Sequence, residues 1–394
     1  MALFGKTPLA RKNLTHNVRR LAVALAGIGF AVVLMFMQLG FRNALFYSTV
    51  KIVTDMDADM LLINRARYTL PARLSFDFKR ILQARSCPGV AAVYPIYTET
   101  FGTEWKPEGG GKPYSIRVIA FDPDDPVFLT AEVRSQVSAL RQPDVALIDS
   151  RSKNQYGIPS TLEQLRRQTG AELADHSIHL AGTFPMGTDF VNDGNLIMSS
   201  ANLARFFPLR ALGADPLSMV DLGIVKIQQD ADLHAVHQEL RRRFAGTELS
   251  VYLKSDLIDK EIRFWDRSTP IGYIFSVGTI MGFVVGMIIC YQIIYSEIAD
   301  HMPEFATLKA MGYRNRFFIG LVLQMSLYLS LIGYVPGLIG SWILYRGLAE
   351  STGLLLELNF FHAALVLVLT LGMCMASGCM AMRKLLDADP VELL

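Results

Sequence analysis

Cysteine is scarce in this chain, which contains four among 394 residues. Three of them, Cys290, Cys374 and Cys379, fall in long apolar segments, which leaves Cys87 as the only thiol in the soluble stretch of residues 42–267. No disulfide can therefore form within that stretch, although an exported compartment would permit one.

The sequence also lacks the motifs of nucleotide binding and of catalysis. The glycine run that ends in Lys112 suggests a phosphate-binding loop, but the residue five positions before Gly111 is Lys106, and Pro113 follows Lys112. A P-loop requires glycine and serine or threonine at those two places. The run is therefore predicted to be a hairpin turn, and no ATP hydrolysis is expected from it. Because no Ser-His-Asp order or paired-carboxylate pattern is present either, an enzyme is disfavoured and no cofactor is expected.

Histidine is rare, and the seven histidines include two pairs with a spacing of three residues. On a helix, this spacing would put the imidazoles of His234 and His237 on one face, as a metal site requires. His176 and His179 lie in a strand-like segment, where residues three apart point to opposite faces. Since no third ligand accompanies either pair, the sequence predicts packing or solvated histidines and no metal site.

Charge is absent from four long segments, which are residues 21–41, 268–296, 317–345 and 359–382. Each is longer than the roughly 20 apolar residues that cross a hydrocarbon core of about 30 Å. A charged residue at the centre of such a helix costs about 2.5–3.5 kcal/mol on insertion scales. The sequence therefore predicts an α-helical membrane protein with four transmembrane helices, one before and three after a large soluble domain of residues 42–267.

Basic residues are distributed unevenly between the two sides of the predicted membrane. Ten lysines and arginines lie on the side of both chain ends, in residues 1–20, 297–316 and 383–394. The short segment on the opposite side, residues 346–358, holds Arg346 alone. By the positive-inside rule, both chain ends are predicted to be cytoplasmic and residues 42–267 periplasmic.

The N-terminal region has two features of its own. Residues 1–20 combine an apolar stripe with a basic face, which fits either an amphipathic helix at the lipid headgroup level or an ordinary basic flank. The apolar run of residues 21–41 is too long for the hydrophobic part of a signal peptide. It is therefore expected to stay in the protein as a membrane anchor.

The soluble domain alternates strand-like and helix-like patterns, which is typical of a mixed α/β fold. Strands are predicted at residues 59–64, 90–101, 115–121, 220–228 and 249–253, and helices at residues 75–84 and 232–244. The strand-helix-strand units at the two ends predict one membrane-proximal subdomain, built from residues 51–122 and 218–253. Residues 123–215 are then expected to be an inserted subdomain, and residues 256–267 a helix that continues into the second span.

Small residues mark two of the predicted spans. Gly278, Gly282 and Gly286 recur every fourth residue in the second span, which leaves a groove where another helix backbone can approach closely. That helix can belong to another chain or to one of this chain's own spans, and the sequence leaves both open. In the third span, Pro336 is predicted to kink the helix.

The most specific local pattern lies between the second and third spans. Pro303 can begin a short helix, Glu304 complements the positive end of its dipole, and Gly312 can end it. Phe305, Leu308 and Met311 follow at a spacing of three and form an apolar ridge. Such a ridge in an otherwise exposed loop requires either a partner groove or a lipid surface.

This loop, together with the layout of one span before and three after the soluble domain, resembles the MacB/FtsX family of ABC-transporter permeases. Residues 304–312 (EFATLKAMG) are similar to the coupling segment E-x-x-x-L-[KR]-A-[LIM]-G of that family. Residues 8–14 and 25–29 look like the family's entry into the first span, and residues 389–394 (DPVELL) like its common ending. One departure is that MacB carries its ATPase in the same chain, whereas no nucleotide motif precedes the first span here.

More narrowly, residues 3–42, 68–73 and 87–90 resemble the DevC permease of cyanobacterial DevBCA exporters. The resemblance implies a homodimeric, non-catalytic permease in the lipid of the bacterial inner membrane, which transmits the mechanical effect of ATP hydrolysis by a separate protein. The implied partners are a DevA-like cytoplasmic ATPase, a DevB-like periplasmic membrane-fusion protein and, indirectly, a TolC-like outer-membrane protein. The implied cargo is envelope glycolipid or a similar hydrophobic molecule.

The resemblance also implies that the loop docks on the ATPase through Glu304, Phe305, Thr307, Leu308, Lys309, Met311 and Gly312. The alternative is an FtsX-like regulator that uses the same contact to activate a periplasmic cell-wall hydrolase and moves no cargo. The net charge of +2 gives no reason to expect a nucleic-acid partner in either case.

Overall fold

The computed structural model describes residues 18–109, 111–159, 161–167, 170–211, 213–354 and 356–386. The chain divides into two compact units. The first, called here the helical unit, comprises Met1–Asn43, Pro270–Gly347 and Leu356–Leu394. The second, called the α/β unit, comprises Ala44–Thr269 and Leu348–Leu355.

Helices and strands are numbered separately along the chain. The described helices are α1 (Val18–Asp55), α2 (Lys79–Arg85), α3 (Ala131–Gln136), α4 (Leu162–Arg167), α5 (Ser200–Phe206), α6 (Leu233–Arg243), α7 (Lys254–Arg267), α8 (Pro270–Asp300), α9 (Met302–Ala310), α10 (Asn315–Thr352) and α11 (Phe360–Leu386). The described strands are β1 (Met60–Asn64), β2 (Phe76–Asp77), β3 (Val90–Glu99), β4 (Glu104–Lys106), β5 (Tyr114–Ser115), β6 (Arg117–Phe121), β7 (Val145–Asp149), β8 (Glu172–Leu173), β9 (His176–Ser177), β10 (His179–Phe184), β11 (Asn195–Ser199), β12 (Met219–Val220), β13 (Leu222–Ile227) and β14 (Leu249–Leu253).

Four described helices are long and apolar enough to cross a membrane, as the charge-free segments predict. Their candidate spans are Leu21–Asp55, Pro270–Asp300, Asn315–Ala349 and Phe360–Arg383. In the helical unit, hydroxyl groups join pairs of these helices: Tyr334 of α10 donates to the carbonyl of Ala363 in α11 at 2.9 Å, and Ser377 of α11 donates to the carbonyl of Met287 in α8 at 2.7 Å. A polar group loses its hydration inside a membrane, and such hydrogen bonds compensate for that loss.

The first helix is longer than its apolar run. The prediction ended it at residue 41, whereas α1 continues to Asp55. In this extension Phe46, Val50 and Val53 are buried at a spacing of four and three, so one face of the helix is apolar. The length of a charge-free run indicates how far a helix is compatible with lipid, and it does not indicate where the helix ends.

An eight-stranded mixed sheet forms the centre of the α/β unit, in the order β10-β7-β11-β6-β3-β13-β1-β14. The β10–β7 and β11–β6 pairs are parallel, and the other neighbours are antiparallel. Alternate residues of β1 face two different apolar cores: Met60 and Leu62 join the core that contains α2 and α6, and Leu61 and Ile63 join the core that contains the end of α1 and part of α7. The sheet is therefore covered on both faces.

The sheet joins the two predicted subdomains. Strands β7, β10 and β11 come from the predicted insertion of residues 123–215, and they continue the same sheet as β6, β3, β13 and β1. The contact between β11 and β6 is a ladder of five residue pairs. At the level of the sheet, the structure does not separate an inserted subdomain from residues 51–122 and 218–253.

Two local predictions differ from the structure. Residues 75–84 were expected to be helical, but Phe76 and Asp77 form β2, which pairs with β12, and the helix begins only at Lys79. Residues 256–267 were expected to continue as one helix into the second span, but α7 ends at Arg267 and α8 begins at Pro270. Proline cannot donate a backbone hydrogen bond, so it favours the start of a new helix.

Candidate coupling surface

The short helix α9 lies between α8 and α10. Its first turn contains Pro303, at a position where the missing backbone donor costs nothing, because the first N–H groups of a helix have no intrahelical acceptor. Glu304 follows in the same turn, where a carboxylate complements the positive end of the helix dipole. The sequence predicts that this helix begins at Pro303, and in the structure it begins one residue earlier, at Met302.

Gly312 shapes the end of α9. The amide of Gly312 donates to the carbonyl of Lys309 at 3.0 Å, and the amide of Tyr313 donates to the carbonyl of Leu308 at 3.2 Å. Gly312 has a φ of +94°, a left-handed conformation that strains any residue with a Cβ atom, while the space around it is open. The glycine is therefore required by the backbone conformation and not by a close neighbour.

Polar and aromatic contacts hold the ends of α9. The imidazole of His301 lies between two carboxylates, 3.6 Å from Glu297 in α8 and 3.3 Å from Glu304 in α9. Beyond the helix, the rings of Tyr313 and Phe317 are 4.8 Å apart, which joins the turn after α9 to the start of α10. These contacts join α9 to α8 and α10, the helices before and after it.

The outer surface of α9 is open to solvent. The side chains of Glu304, Thr307, Lys309 and Met311 are exposed, and Met311 is 64% accessible. Leu308 is half-buried, while the side chain of Phe305 lies outside the described part of the structure. Leu308 and Met311, the two described residues of the three in the predicted apolar ridge, are thus partly or largely open to solvent.

The three glycines of α8 lie in the helical unit against other helices of the same chain. A methyl group placed on Gly278 would come within 2.4 Å of the Gln38 side chain, and one on Gly282 within 3.3 Å of Met35. On Gly286 it would meet Met373 at 2.5 Å and Ala31 at 2.7 Å. The groove that was predicted from their spacing is filled by α1 and α11, so its occupants in this chain are the chain's own spans.

A second set of close contacts, between α1 and α10, was missed from the sequence. A methyl group on Gly333 would lie 2.7 Å from Ile28, and one on Gly337 would lie 2.6 Å from Val32. Near the other end of this contact, the hydroxyl of Tyr345 donates to the carbonyl of Phe36. The signal in the sequence was the spacing of four between Gly333 and Gly337, the same spacing as that of the glycines in α8.

The remaining candidate groups belong to the α/β unit. His176 begins β9 and His179 begins β10, while His234 and His237 lie on α6, where the Nε2 atom of His237 is 3.1 Å from the carbonyl of Val251. Among the described residues, no three histidine, cysteine, aspartate or glutamate side chains are placed to hold a metal ion. The predicted turn after Lys106 connects β4 and β5, which pair as an antiparallel hairpin.

A known protein family matches the part of the chain that contains α9. Residues 275–390 match the family described as FtsX-like permease C-terminal. This FtsX-like segment contains most of α8 and all of α9, α10 and α11. Helix α9 and the glycines of α8 therefore lie in the segment that matches this family, which supports the coarser part of the resemblance.

Solved structures give a second and weaker comparison. The periplasmic region of MacB from Actinobacillus actinomycetemcomitans is 12% identical with a TM-score of 0.34, and the match covers 52% of this chain and 91% of that one. The extracellular domain of the noncanonic ABC-type transporter YknZ from Gram-positive bacteria is 10% identical with a TM-score of 0.30, and the match covers 49% of this chain and 98% of that one. No curated protein matches the chain.

Proposed function

We propose that this chain is the permease subunit of an ABC-type transporter, and that it transmits the movement of a separate ATPase without carrying out chemistry itself. The observation that carries the proposal is α9, a short helix of the FtsX-like segment whose surface is exposed and whose two ends are tied to long apolar helices. A partner that binds Leu308, Met311 and the exposed polar groups beside them can move α8 and α10 together.

The charge distribution of α9 supports a protein partner. Glu304 lies in its first turn and Lys309 in its last turn, so both charges complement the helix dipole and face solvent. A partner surface with the opposite order of charges would be steered toward one orientation. The half-buried Leu308 and the exposed Met311 would then supply the apolar contact area of the interface.

The wider assembly follows the resemblance to DevBCA-type exporters. In this proposal two copies of the chain lie in the bacterial inner membrane with both chain ends in the cytoplasm, bind a DevA-like ATPase, and present their α/β units to a DevB-like fusion protein. A TolC-like duct completes the route, and envelope glycolipid or a similar hydrophobic molecule is the cargo. What supports this arrangement is the similarity of residues 3–42, 68–73 and 87–90, together with ten basic residues on the cytoplasmic side.

Replacing Leu308 with alanine tests the coupling role. The tagged full-length chain is purified from its own cells in mild detergent, and both the copurifying ATPase subunit and its ATP hydrolysis are measured. Because Leu308 supplies apolar contact area, we expect L308A to lower the amount of ATPase or its hydrolysis rate by about fivefold, as is typical for a loss of roughly 1 kcal/mol at an interface.

The matched control is Leu327→Ala, since Leu327 is a leucine of α10 with 42% of its surface exposed. L327A should leave both quantities unchanged, and neither variant should alter the melting temperature by more than a few degrees. Equal ATPase recovery and equal hydrolysis in L308A and the unmodified chain would refute the coupling role. Mass spectrometry of the same preparations tests the export assignment, because a cell-wall hydrolase in place of a fusion protein would indicate a regulator.

A further inference from the structure

A basic cleft of about 640 Å³ lies in the α/β unit. It is bounded by the end of β1, by α6 and the turn that follows it, by β14 and by α7. Its floor includes Phe244, Leu249 and Val251, whose side chains are at least nine-tenths buried and belong to the core on that face of the sheet. The cleft is therefore a depression built on rigid elements and not a gap between loops.

Positive charge is concentrated in this cleft. Arg65, Arg241, Lys260 and Arg263 line it, and Asp256 is the one carboxylate among the lining residues. The formal excess is three positive charges in a cleft of a chain whose net charge is only +2. Like charges that are gathered in a concave site raise the local potential and attract anions.

The arginines of the cleft are not neutralised within the described part of the chain. Neither Arg241 nor Arg263 forms an ion pair or a side-chain hydrogen bond with a described residue. The next two residues along α6 behave differently: Arg242 pairs with Glu239 at 3.3 Å, and Arg243 donates to the carbonyl of Gln83 at 2.8 Å. The uncompensated guanidinium group of Arg241 thus lies on the side of α6 that lines the cleft, and that of Arg263 lies on α7.

Lys260 is held in position by an aromatic ring. Its Nζ atom lies 4.6 Å from the centre of the Tyr252 ring and 3.2 Å from the Tyr252 hydroxyl, and 3.5 Å from the carbonyl of Arg67. An ammonium group that is oriented by a ring and two oxygen atoms loses less rotational freedom when an anion binds to it.

We propose that this cleft binds a phosphate-bearing anion, with Arg241, Arg263 and Lys260 as its cationic contacts. Phosphate suits the cleft better than a carboxylate, because it offers three or more acceptor oxygens to several donors at once, and guanidinium groups bind it through paired hydrogen bonds. The proposed site shares no residue with α9, and the proposal stands whether the chain exports cargo or regulates another protein.

Two sources of such a phosphate are compatible with the chain, a lipid headgroup and a soluble phosphate compound. Arg263 precedes Pro270, the first residue of a candidate span, by seven residues, which at full extension is at most about 25 Å of chain. Basic groups attract anionic headgroups when they lie within about a Debye length of a membrane surface. The headgroup is therefore the source that the chain favours.

Titration of the full-length protein tests the proposal. The protein is placed in nanodiscs of phosphatidylcholine, and binding is measured by calorimetry with water-soluble dihexanoyl-phosphatidylglycerol, dihexanoyl-phosphatidylcholine and inorganic phosphate as separate probes. We expect the phosphatidylglycerol probe to bind and R241Q/R263Q to weaken it at least about tenfold, since two charge-assisted contacts are lost. Added salt should weaken binding to the unmodified protein.

The control variant is R242Q/R267Q, which removes two exposed arginines that do not line the cleft and so changes the net charge equally. The control R242Q/R267Q should weaken binding less than about twofold. R241K/R263K keeps both positive charges and should retain binding, and it serves as a second test if R241Q/R263Q folds poorly. If inorganic phosphate binds and R241Q/R263Q weakens its binding as much as that of the phosphatidylglycerol probe, the site is assigned to soluble phosphates. Absence of binding by both anionic probes, or equal losses in the two glutamine double variants, would overturn the proposal.

Discussion

At the scale of single residues, buried polar groups of the α/β unit fasten its elements to one another. The carboxylate of Glu261 on α7 is 1% exposed and accepts hydrogen bonds from the amide of Leu70, the hydroxyl of Thr69 and the indole of Trp265. A buried acceptor with several donors stabilises a fold mainly because its removal would leave those donors without partners. Glu261 thereby joins the helix that precedes the second span to the segment after β1.

Asp125 gives a residue-scale prediction about pH. Burial, together with the neighbouring Asp122, raises the pKa of Asp125 from 3.8 to about 6. Between these two values the folded protein binds a proton that the unfolded chain does not, so stability falls as the pH rises from about 4 to 6 and stays lower above it. Replacing the carboxylate by the neutral amide in D125N should remove this loss.

We expect D125N to unfold about 2 °C higher than the unmodified protein at pH 7.5, and at the same temperature at pH 4. This corresponds to about 1 kcal/mol after allowance for the partial exposure of the side chain. The melting temperature is measured across this pH range, with D259N, which alters an exposed carboxylate, as the control. If D125N raised the melting temperature by the same amount at pH 4 and at pH 7.5, the effect would not come from the raised pKa of Asp125.

At the scale of elements, α1 and α10 are held together by small residues. Gly337 packs so closely on Val32 that an added methyl group would overlap it, whereas the space beside Gly320 of the same helix is open within 4 Å. A change from glycine to alanine in a helix favours folding by about 1 kcal/mol, and overpacking costs about 1–3 kcal/mol. The two glycines therefore predict opposite effects of the same substitution.

Thermal unfolding of the purified protein in detergent distinguishes these effects. G337A should lower the melting temperature by several degrees, because overlap with Val32 outweighs the gain in helix propensity. G320A should leave the melting temperature unchanged or raise it slightly. If G337A were as stable as G320A, the close contact between α1 and α10 would not exist in the membrane protein.

Much of the helical unit could be predicted from the sequence, because each span is a local property of a charge-free run. The short helix at residues 302–310 was also predictable, since its proline, glutamate and glycine act within one or two turns. The helices that pack against Gly278, Gly282 and Gly286 were not predictable. The spacing of these glycines indicates that another helix can approach closely, but it does not identify that helix.

The central sheet was less predictable. Its strands were mostly recognised from their apolar residues, but the parallel pairing of β11 with β6 joins residues that are 78 positions apart in sequence, such as Arg117 and Asn195. Phe76 and Asp77 became a strand for the same reason, since their partners Met219 and Val220 are distant in sequence. Such pairings depend on tertiary contacts that outweigh local propensity.

At the scale of the whole molecule, the proposed function requires the α/β unit and α9 to lie on opposite sides of a membrane. Each unit has its own apolar core or helix contacts, and four helices have the length and composition to cross a bilayer. If the ATPase binds α9 and other partners bind the α/β unit, the spans join the two binding sites along the chain and can transmit movement between them.

Site-directed labelling with a membrane-impermeant maleimide tests this claim most directly. Phe101 is 79% exposed in the α/β unit and Thr307 is exposed on α9, and each is replaced by cysteine in a C379S background, because the other three native cysteines are buried. The account predicts that F101C is labelled in spheroplasts and that T307C is labelled only in inside-out vesicles. Labelling of both cysteines from the same side would contradict it.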